Sequence, residues 1–580
     1  MQYHSHSSAS TEHAMAQRAS GRMRTTDRSS RARVAAMLGS LALLIGACTQ
    51  SSAPPAASSS SAAGSSPAVS AACAGQPKVG GIVKVINDGG GTNPIVQSEV
   101  LIWNIFDGLL QQDITGALHP GLAESWDISS DGLTYTFHMR HNAVWSDGTP
   151  IDSSDVTMTF EKVMNPDIAA ANRRFFAGVL KSWTAPDQWT VVFQMSLKAS
   201  PVLSYFAEQR IAPKSVFGNL SAQDVNTKFK QEAPVSSGPY KWVKTVPDQV
   251  VQTVRNDKYY FPRGSNDYRT VPWIDELDFY PFGDSNANIL SMRTADRDVY
   301  ALTMSLPEYQ EISKIQTVRT TLHPVGIYNF LQLNNKNPLF SDVRVRQAML
   351  YAIDRQTMVS QLLAPIAIVM DSFVDPSNWA YKADVKKYPY DVNQAKQLLS
   401  AAGWTPGADG ILTKGGTRFS FESVTDRQSL VVEAIQSYLK AVGIEMKLKG
   451  LSGTSVTRAE LLAYQQSPDF VSAQTNLGYE VYANRRHTWL STLAPPAGNN
   501  FSRYSNPELD AVLNDSWAQP DRSAAQKADF YKMQDILAND VPYLPMYYPL
   551  MVQAVNTRVC GAEQGSVYIL QTAAKWWVNG

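Results

Sequence analysis

The residues of this chain that could do nucleophilic or phosphate chemistry do not form a complete catalytic motif. The string nearest to a Gly-x-Ser-x-Gly nucleophile elbow is Gly283-Asp284-Ser285-Asn286-Ala287, which lacks the second glycine and is typical of a polar loop. Gly89-Gly90-Gly91-Thr92 has neither the GxGxxG spacing nor the lysine of a phosphate-binding loop, so a turn is the better interpretation. We therefore expect a protein that is not an enzyme and that needs no cofactor.

Histidines could in principle form a metal site, because His138 and His141 are three residues apart and His119 is near them in sequence. On a strand, however, residues three apart point to opposite faces. No cysteine or acidic cluster completes a ligand set. The sequence therefore predicts no metal site here.

The N-terminal region has the features of an export signal with a lipid attachment site. Arg18, Arg22, Arg24, Arg28, Arg31 and Arg33 precede a short apolar run over residues 34–47, which is too short to span a bilayer and ends in Gly46-Ala47-Cys48. We predict a lipoprotein signal peptide over residues 1–47 and lipidation of Cys48. The alternative is an ordinary signal peptide with an incidental cysteine, and either Met1 or Met23 could be the start.

A tether and a disulfide are predicted next to this signal. Residues 48–77 are rich in Ser, Ala and Pro and cannot bury enough apolar surface to fold; the 24 residues 49–72 alone give a reach of roughly 27 Å. The remaining cysteines, Cys73 and Cys560, suggest a disulfide in an oxidising compartment, the alternative being two separately buried thiols. We expect the protein at the cell membrane, lipid-anchored and facing the periplasm or the cell exterior.

Composition limits the partners and the architecture. The 51 basic and 51 acidic residues cancel, so no bulk charge favours nucleic acid. The 580 residues exceed what one core normally holds. The order of strand and helix patterns is typical of mixed α/β lobes.

Residues 122–164 carry the most specific local pattern. Asp131-Gly132 and Asp147-Gly148 predict turns on either side of a strand, and Asp152 could cap a helix that follows. The strand alternates polar residues with an apolar set, and the helix repeats apolar residues at helical spacing. These two sets are Leu133, Tyr135, Phe137 and Met139 for the strand, and Val156, Phe160 and Val163 for the helix.

This block resembles the signature region of the family 5 extracellular solute-binding proteins, the peptide and nickel receptors of ATP-driven importers. Further matching segments follow in the family's order and extend the resemblance to roughly residues 78–575. They include Phe106-Asp107-Gly108-Leu109-Leu110, Ser237-Gly238-Pro239-Tyr240, Arg344-Val345-Arg346-Gln347-Ala348, Ala352-Ile353-Asp354-Arg355 and Pro542-Tyr543-Leu544-Pro545.

The resemblance implies an α/β, bilobal periplasmic-binding-protein-like fold of type II, cluster C, with an extra inserted domain and a hinge of two crossings. Lobe I would be discontinuous, comprising residues 78–117, 233–325 and 545–580. Residues 118–232 would form the inserted domain II, and residues 326–544 would form lobe II. The crossings would lie near residues 323–328 and 543–548.

The resemblance also implies a function: a solute-binding lipoprotein that captures di- or oligopeptides by hinge closure and delivers them to the permease of an ABC importer, most simply as a monomer. In peptide-binding relatives, an Asp of lobe II pairs with the ligand's α-amino group. Its position here is Gly478, with Thr475 at the preceding Trp position. Glu480 could replace that charge, with Gln474 or Asn476 as neutral acceptors, or Glu480 is simply a solvated loop carboxylate.

Other candidate ligand contacts come from position in the family pattern, and for each the alternative is a core or surface role. They are Gln97, Ser98, Phe175, Phe176, Asn499, Asn500, Tyr547 and Tyr548. By contrast, we expect the conspicuous charges Arg344, Arg346, Asp354 and Arg355 to serve structure. Rival functions are the same scaffold binding a glycoside, an amine or a metal chelate, an exported hydrolase, and a signalling or adhesion lipoprotein.

Overall fold

The computed structural model describes residues 73, 75–87, 91–97, 101–113, 115–230, 232–265, 269–425, 429–449, 458–477, 485–562 and 569–579. Its first elements are β1 (Ile82–Ile86), α1 (Ile102–Ile105), β2 (Leu110–Gln112) and β3 (Leu118–Pro120). Within the described ranges, no helix is both long and apolar enough to cross a membrane.

A separate four-stranded sheet follows, in the order β4-β5-β7-β6, with helices around it. We call this unit the four-stranded domain; its elements are β4 (Ala123–Ile128), β5 (Thr134–Met139), α2 (Ser153–Met164), α3 (Arg173–Phe176), β6 (Leu180–Asp187), β7 (Thr190–Met195), α4 (Val202–Glu208), α5 (Lys214–Phe217) and α6 (Ala222–Thr227).

The pattern of residues 122–164 is confirmed in this domain. Tyr135, Phe137 and Met139 are buried, whereas the residues that alternate with them are partly exposed. Asp152 caps α2 by accepting from Ser154 N at 2.9 Å, within a capping box that Asp155 completes. The buried strand residues and the apolar face of α2 therefore form one core.

The chain then completes the first half of a 12-stranded sheet, which we call lobe I. The added elements are β8 (Tyr240–Val246), β9 (Val250–Arg255), β10 (Glu276–Tyr280), α7 (Ser285–Arg293), β11 (Val299–Leu302), α8 (Leu306–Ile312) and β12 (Val318–Pro324). The strand order is β8-β9-β10-β1-β11, with β1 parallel to both β10 and β11.

The other half of the large sheet, with its helices and a separate three-stranded sheet over residues 405–418, is lobe II. Its elements are β13 (Tyr328–Leu333), α9 (Val343–Ala352), α10 (Arg355–Leu362), β14 (Ala367–Val369), α11 (Val392–Ala401), β15 (Thr405–Pro406), β16 (Leu412–Lys414), β17 (Thr417–Arg418), β18 (Ser420–Thr425), α12 (Leu430–Ala441), β19 (Glu445–Lys449), α13 (Arg458–Gln466), β20 (Ser472–Leu477), α14 (Arg486–Trp489), α15 (Pro507–Ala518) and α16 (Ala524–Asp540).

The sequence pattern predicts helices from Val343, from Val392 and over residues 430–442, with Asp354 on the same face as Val343 by helical spacing. Helices α9, α11 and α12 begin at these three positions. The last two are followed by Gly403 and Gly443, both with positive φ, as helix-terminating glycines require. One detail of the prediction is wrong: Asp354 does not share the face of Val343, because α9 ends at Ala352 and Asp354 caps α10 instead.

Two strand crossings join the lobes. The last long strand, β21 (Tyr543–Asn556), pairs with β13 of lobe II through residues 543–547 and with β12 of lobe I through residues 550–556. The second crossing is the short connection from β12 to β13. These are the two crossings that the sequence predicted, and the mixed α/β bilobal fold is confirmed.

The predicted disulfide is present. Cys73 and Cys560 are bonded, with their Cα atoms 5.5 Å apart. Cys560 belongs to the short strand β22 (Val559–Cys560), which pairs with β23 (Trp577–Val578) close behind the end of β21. The bond therefore joins the segment before β1 to the C-terminal segment of lobe I.

Candidate functional site

The carboxyl ends of the parallel strands of both lobes point toward the hinge. In lobe I, Leu302 at the end of β11 pairs with Val552 of β21, nearer to the crossing than the start of β11; β1 and β10 run parallel to it. In lobe II, Leu477 at the end of β20 pairs with Tyr328 at the crossing, and β18 and β19 run parallel to β20. Ligands of α/β proteins bind at such carboxyl edges, so each lobe presents a candidate binding edge toward the hinge.

The loop after β1 places the first candidate at the lobe I edge. Asn93 is fully buried, donates to Val225 O at 2.9 Å and accepts from Ile95 N at 3.0 Å, which fixes the turn. Gln97 is half-buried, and its Oε1 accepts from Asn93 N at 3.0 Å. The backbone of this loop is thus held firmly, while the amide of Gln97 lies at its partly exposed side.

A polar row crosses three adjacent strands at the lobe II edge. Asn476 of β20 lies opposite Asn329 of β13, and Asn329 lies opposite Tyr547 of β21. Directly opposed residues share a face of the sheet. Asn476 is exposed, and the other two are half-buried. We call these three residues the hinge-edge row; Asn476 and Tyr547 were predicted, and Asn329 was missed.

The neighbouring candidates of β20 are buried within lobe II. Gln474 is 7% exposed and lies opposite Leu331, whereas Thr475 is 8% exposed and lies opposite Phe330 on the other face. Tyr548 is also buried, and its hydroxyl donates to Ser372 O and Val374 O. Gln474, Thr475 and Tyr548 therefore belong to the buried interior of lobe II.

The two predicted phenylalanines of the four-stranded domain are placed differently. Phe176 is fully buried and contacts Phe160 edge-on at 5.0 Å. Phe175 is half-buried and stacks on Tyr205 at 4.7 Å, with the guanidinium of Arg174 on it at 4.9 Å. Phe175 is therefore the one of the two with a partly exposed ring.

Asn499 and Asn500 also differ in how far they are buried. Asn499 is exposed, whereas Asn500 is fully buried and its Nδ2 donates to Leu490 O at 3.0 Å and Tyr504 O at 2.8 Å. Asn500 thereby organises a loop. Ser98, Gly478, Glu480 and Cys48 lie outside the described residues.

The hinge itself contains a buried cation that sequence reasoning also missed. Gly326, between β12 and β13, has a φ of 61° and donates from its N to Asp375 Oδ2 at 3.0 Å. Its carbonyl accepts from Arg485 Nη2 at 3.1 Å, and the Arg485 guanidinium lies 4.2 Å from the centre of the Tyr328 ring. Arg485 follows the candidate positions Gly478 and Glu480 closely in the sequence, five residues after Glu480.

A second buried cation lies behind the lobe I loop. Arg210 is 5% exposed and lies 5.3 Å from the Trp103 ring, and its neighbour Gln209 donates to Pro94 O at 3.2 Å. Burial, with a smaller contribution from nearby Arg269, lowers the pKa of Arg210 to about 10. The guanidinium still remains charged at neutral pH, and the side chains of Glu208 and Asp107 lie close enough to interact with it electrostatically.

Metal-binding chemistry has no support in the part of the chain that the structure describes, where no group of three or more His, Cys, Asp or Glu side chains is arranged to hold an ion. His119 and His138 instead contact Asp113 and Asp127, each at 2.9 Å. His141 stacks on Trp189 at 4.5 Å. The three histidines do not converge.

Two α/β lobes, two strand crossings and carboxyl edges directed toward the hinge define the class of bilobal solute-binding receptors. Residues 117–503 match the family described as bacterial extracellular solute-binding proteins, family 5 Middle. The chain belongs to this family, whose members bind solutes outside the cytoplasm for ABC importers.

Relatives and solved structures agree with this assignment. The chain is 27% identical over 472 residues to the oligopeptide-binding protein AppA of Bacillus subtilis, covering 79% of this chain and 83% of the relative. It is 24% identical over 482 residues to the periplasmic oligopeptide-binding protein OppA of Salmonella typhimurium, covering 79% and 84%.

The fold resembles AppA from Bacillus subtilis in complex with a nonapeptide, with a TM-score of 0.69 and 25% identity over 87% of this chain and all of that chain. NikA from Brucella suis in complex with Fe(III)-EDTA has a TM-score of 0.73 at 22% identity over 86% of this chain and all of that chain. The second likeness concerns the fold alone.

Proposed function

We propose that the chain is the receptor of an ABC importer and captures di- or oligopeptides between its lobes. The observation that carries this proposal is the hinge-edge row, which lies at the lobe II edge beside the crossings, while the Gln97 loop follows β1 at the lobe I edge. Its amides and hydroxyl can both donate and accept, as the backbone of an extended peptide requires. The peptide-binding relatives add support.

The proposed mechanism is closure at the two crossings. A peptide that contacts both edges stabilises the closed arrangement over the open one, and the permease of the importer recognises that closed shape. No covalent step is needed, and ATP hydrolysis belongs to the importer. Residues 78–117, 233–325 and 545–580 form lobe I in this proposal, 118–232 the inserted domain and 326–544 lobe II, in a monomer.

A peptide ammonium buried by closure needs a partner, because an unpaired buried charge is very costly. Gly478 cannot supply one, so we assign the role to Glu480. Glu480→Gln should weaken binding of a free tripeptide at least 10-fold and leave an N-acetylated tripeptide unaffected. Equal affinity of the variant and the wild type for the free peptide would remove Glu480 from this role.

The proposed location is the outer side of the cell membrane, with a lipid on Cys48. A Ser-, Ala- and Pro-rich segment over residues 48–77 would hold the lobes within reach of the permease. Cys48→Ser should move the protein from the membrane fraction to the soluble fraction and abolish labelling by palmitate. A variant that stays in the membrane fraction and is still labelled by palmitate would contradict the proposed lipid anchor.

The direct test of the function is thermal unfolding of the mature chain, stripped of any bound solute, in the presence of di-, tri-, penta- and nonapeptides. A ligand that binds only the folded protein raises the melting temperature as its concentration exceeds Kd. We expect such a rise, with every peptide recovered intact by chromatography. Asn329→Ala should reduce the rise, whereas Asn219→Ala, at an exposed position in the four-stranded domain, should leave it unchanged.

The second candidate keeps the scaffold and changes the solute to a glycoside, an amine or a metal chelate. It is favoured by Gly478, where peptide-binding relatives carry the acidic partner of the ammonium. In this case only non-peptide solutes would raise the melting temperature. Peptide turnover would instead support an exported hydrolase.

A further inference from the structure

The lobes also touch at a place other than the two strand crossings. The corner between α15 and α16 in lobe II, residues 516–526, lies against the start of α4 in the four-stranded domain. Ser200 N donates to Trp517 O at 2.9 Å, and Gln526 Nε2 donates to Ser200 Oγ at 2.8 Å. The same Gln526 nitrogen also donates to Ser516 O at 3.0 Å. Gln526 therefore connects α16 to α15 within lobe II and connects lobe II to the four-stranded domain.

Apolar packing and a third polar contact extend this interface. Helix α15 packs Leu509, Val512 and Leu513 into the core of lobe II, yet Trp517 near its end packs against the core shared by lobe I and the four-stranded domain. Arg522 Nη2 donates to Thr115 O in the β2–β3 turn. Residues 516–526 of lobe II thus contact both the four-stranded domain and the β2–β3 turn.

The contacts between Gln526 and Ser200 are shielded from water, whereas the bond from Arg522 to Thr115 is exposed. Gln526 is fully buried, and Ser200 is 9% exposed. Every bond joins two protein groups, and none of them uses the hinge-edge row, the Gln97 loop or Arg485. The interface can therefore form with any solute that the cleft accepts, and equally without one.

We propose that residues 516–526 form a clasp that stabilises the closed arrangement of the lobes independently of the solute. The clasp lowers the free energy of the closed state by a fixed amount, so it raises the closed population of the stripped receptor and slows the release of a bound solute. Opening exchanges its hydrogen bonds for bonds to water, which keeps the clasp weak enough to be reversible.

The test compares the double variant Ser200→Ala/Arg522→Ala with the control Ser196→Ala/Lys527→Ala in the full mature chain. The control removes a hydroxyl that bonds only within the four-stranded domain and a cation that lies over Tyr531 within α16. Small-angle X-ray scattering gives the radius of gyration of each stripped protein, and surface plasmon resonance gives the rates for a bound pentapeptide. Single variants repeat the measurement if the double variant is poorly folded.

We expect a larger radius of gyration for the stripped clasp variant than for the wild type or the control, and faster peptide release by about 5-fold for each neutral hydrogen bond removed. Unchanged values for both quantities would overturn the proposal. The kinetic arm rests on the proposed function, whereas the scattering arm uses no ligand. If no peptide binds but the stripped clasp variant opens, the peptide assignment fails and the clasp stands.

Discussion

The guanidinium of Arg485 stacks on the ring of Tyr328 at 4.2 Å and donates to the carbonyl of Gly326 at 3.1 Å, which places one buried cation on the crossing between the lobes. A flat guanidinium can do both at once, whereas an ammonium cannot reproduce the stack and the directed bond together. The hinge backbone is therefore held by a side chain that follows Glu480 by only five residues in the sequence.

Replacing Arg485 by lysine tests this relationship. We expect Arg485→Lys to lower the free energy of unfolding by about 1–2 kcal/mol, because a desolvated cation–π contact and a hydrogen bond to a charged donor are both weakened. Urea denaturation followed by tryptophan fluorescence measures the change. Arg344→Lys, at an exposed pair with Asp342, is the control and should change stability by less than about 0.5 kcal/mol. Equal effects would contradict a special role for Arg485.

The disulfide should contribute measurably to stability, since it closes a loop with a sequence separation of 487 between Cys73 and Cys560. We expect Cys73→Ser/Cys560→Ser to lose about 2–4 kcal/mol, chiefly because the unfolded chain gains freedom. The denaturation midpoint of the variant should match that of the reduced wild type. A midpoint equal to that of the oxidised wild type would show that the bond is dispensable.

The lobe I loop can be perturbed at Gly91. A Cβ there would lie 1.3 Å from Gln97 Nε2, so Gly91→Ala must displace the Gln97 side chain and its bond to Asn93 N. We expect peptide affinity to fall by about 5- to 10-fold, equivalent to roughly one hydrogen bond, with little change in melting temperature. Isothermal titration calorimetry measures the affinity. Gly75→Ala, where nothing lies within 4 Å of the added carbon, is the matched control.

Acid should weaken one surface contact of lobe II. Hydrogen bonds from Ser420 and Arg418 lower the pKa of Glu445 to about 2. Because the folded state binds a proton less readily than the unfolded one, this contribution is complete above the ordinary pKa of 4.5 and is lost as the pH falls from 4.5 to 2. Glu445→Gln should flatten the pH dependence of stability in that window by less than about 1 kcal/mol, since the side chain is partly exposed and solvent screens its contacts. Parallel stability curves for variant and wild type would contradict the assignment.

Local patterns predicted most of the fold. Alternation located the strand of Tyr135 and Phe137, and a capping residue located the start of the helix at Ser153. The helices at Val343 and Leu430 were located without a capping residue, from helical spacing and a terminating glycine. Arg346 and Arg355 were expected to serve structure, and both donate to buried backbone carbonyls. These features depend on residues that are close together in the sequence, so they can be predicted from one sequence.

The site was harder to predict because it depends on register and burial. Asn329 joins Asn476 and Tyr547 only through the pairing of three strands, two of which are far apart in sequence. Asn499 and Asn500 are identical in type and adjacent, yet one is exposed and the other fully buried. Arg485 offered no motif, since its role depends on the position of Tyr328 across the hinge.

The most direct test of the central claim, peptide capture between the lobes, is native mass spectrometry of the receptor purified from its own membrane without denaturation. We predict a mass excess over the polypeptide and its lipid that is released on collisional activation and sequences as one or more short peptides. A retained glycoside, amine or metal chelate, with no peptide in any preparation, would contradict the account.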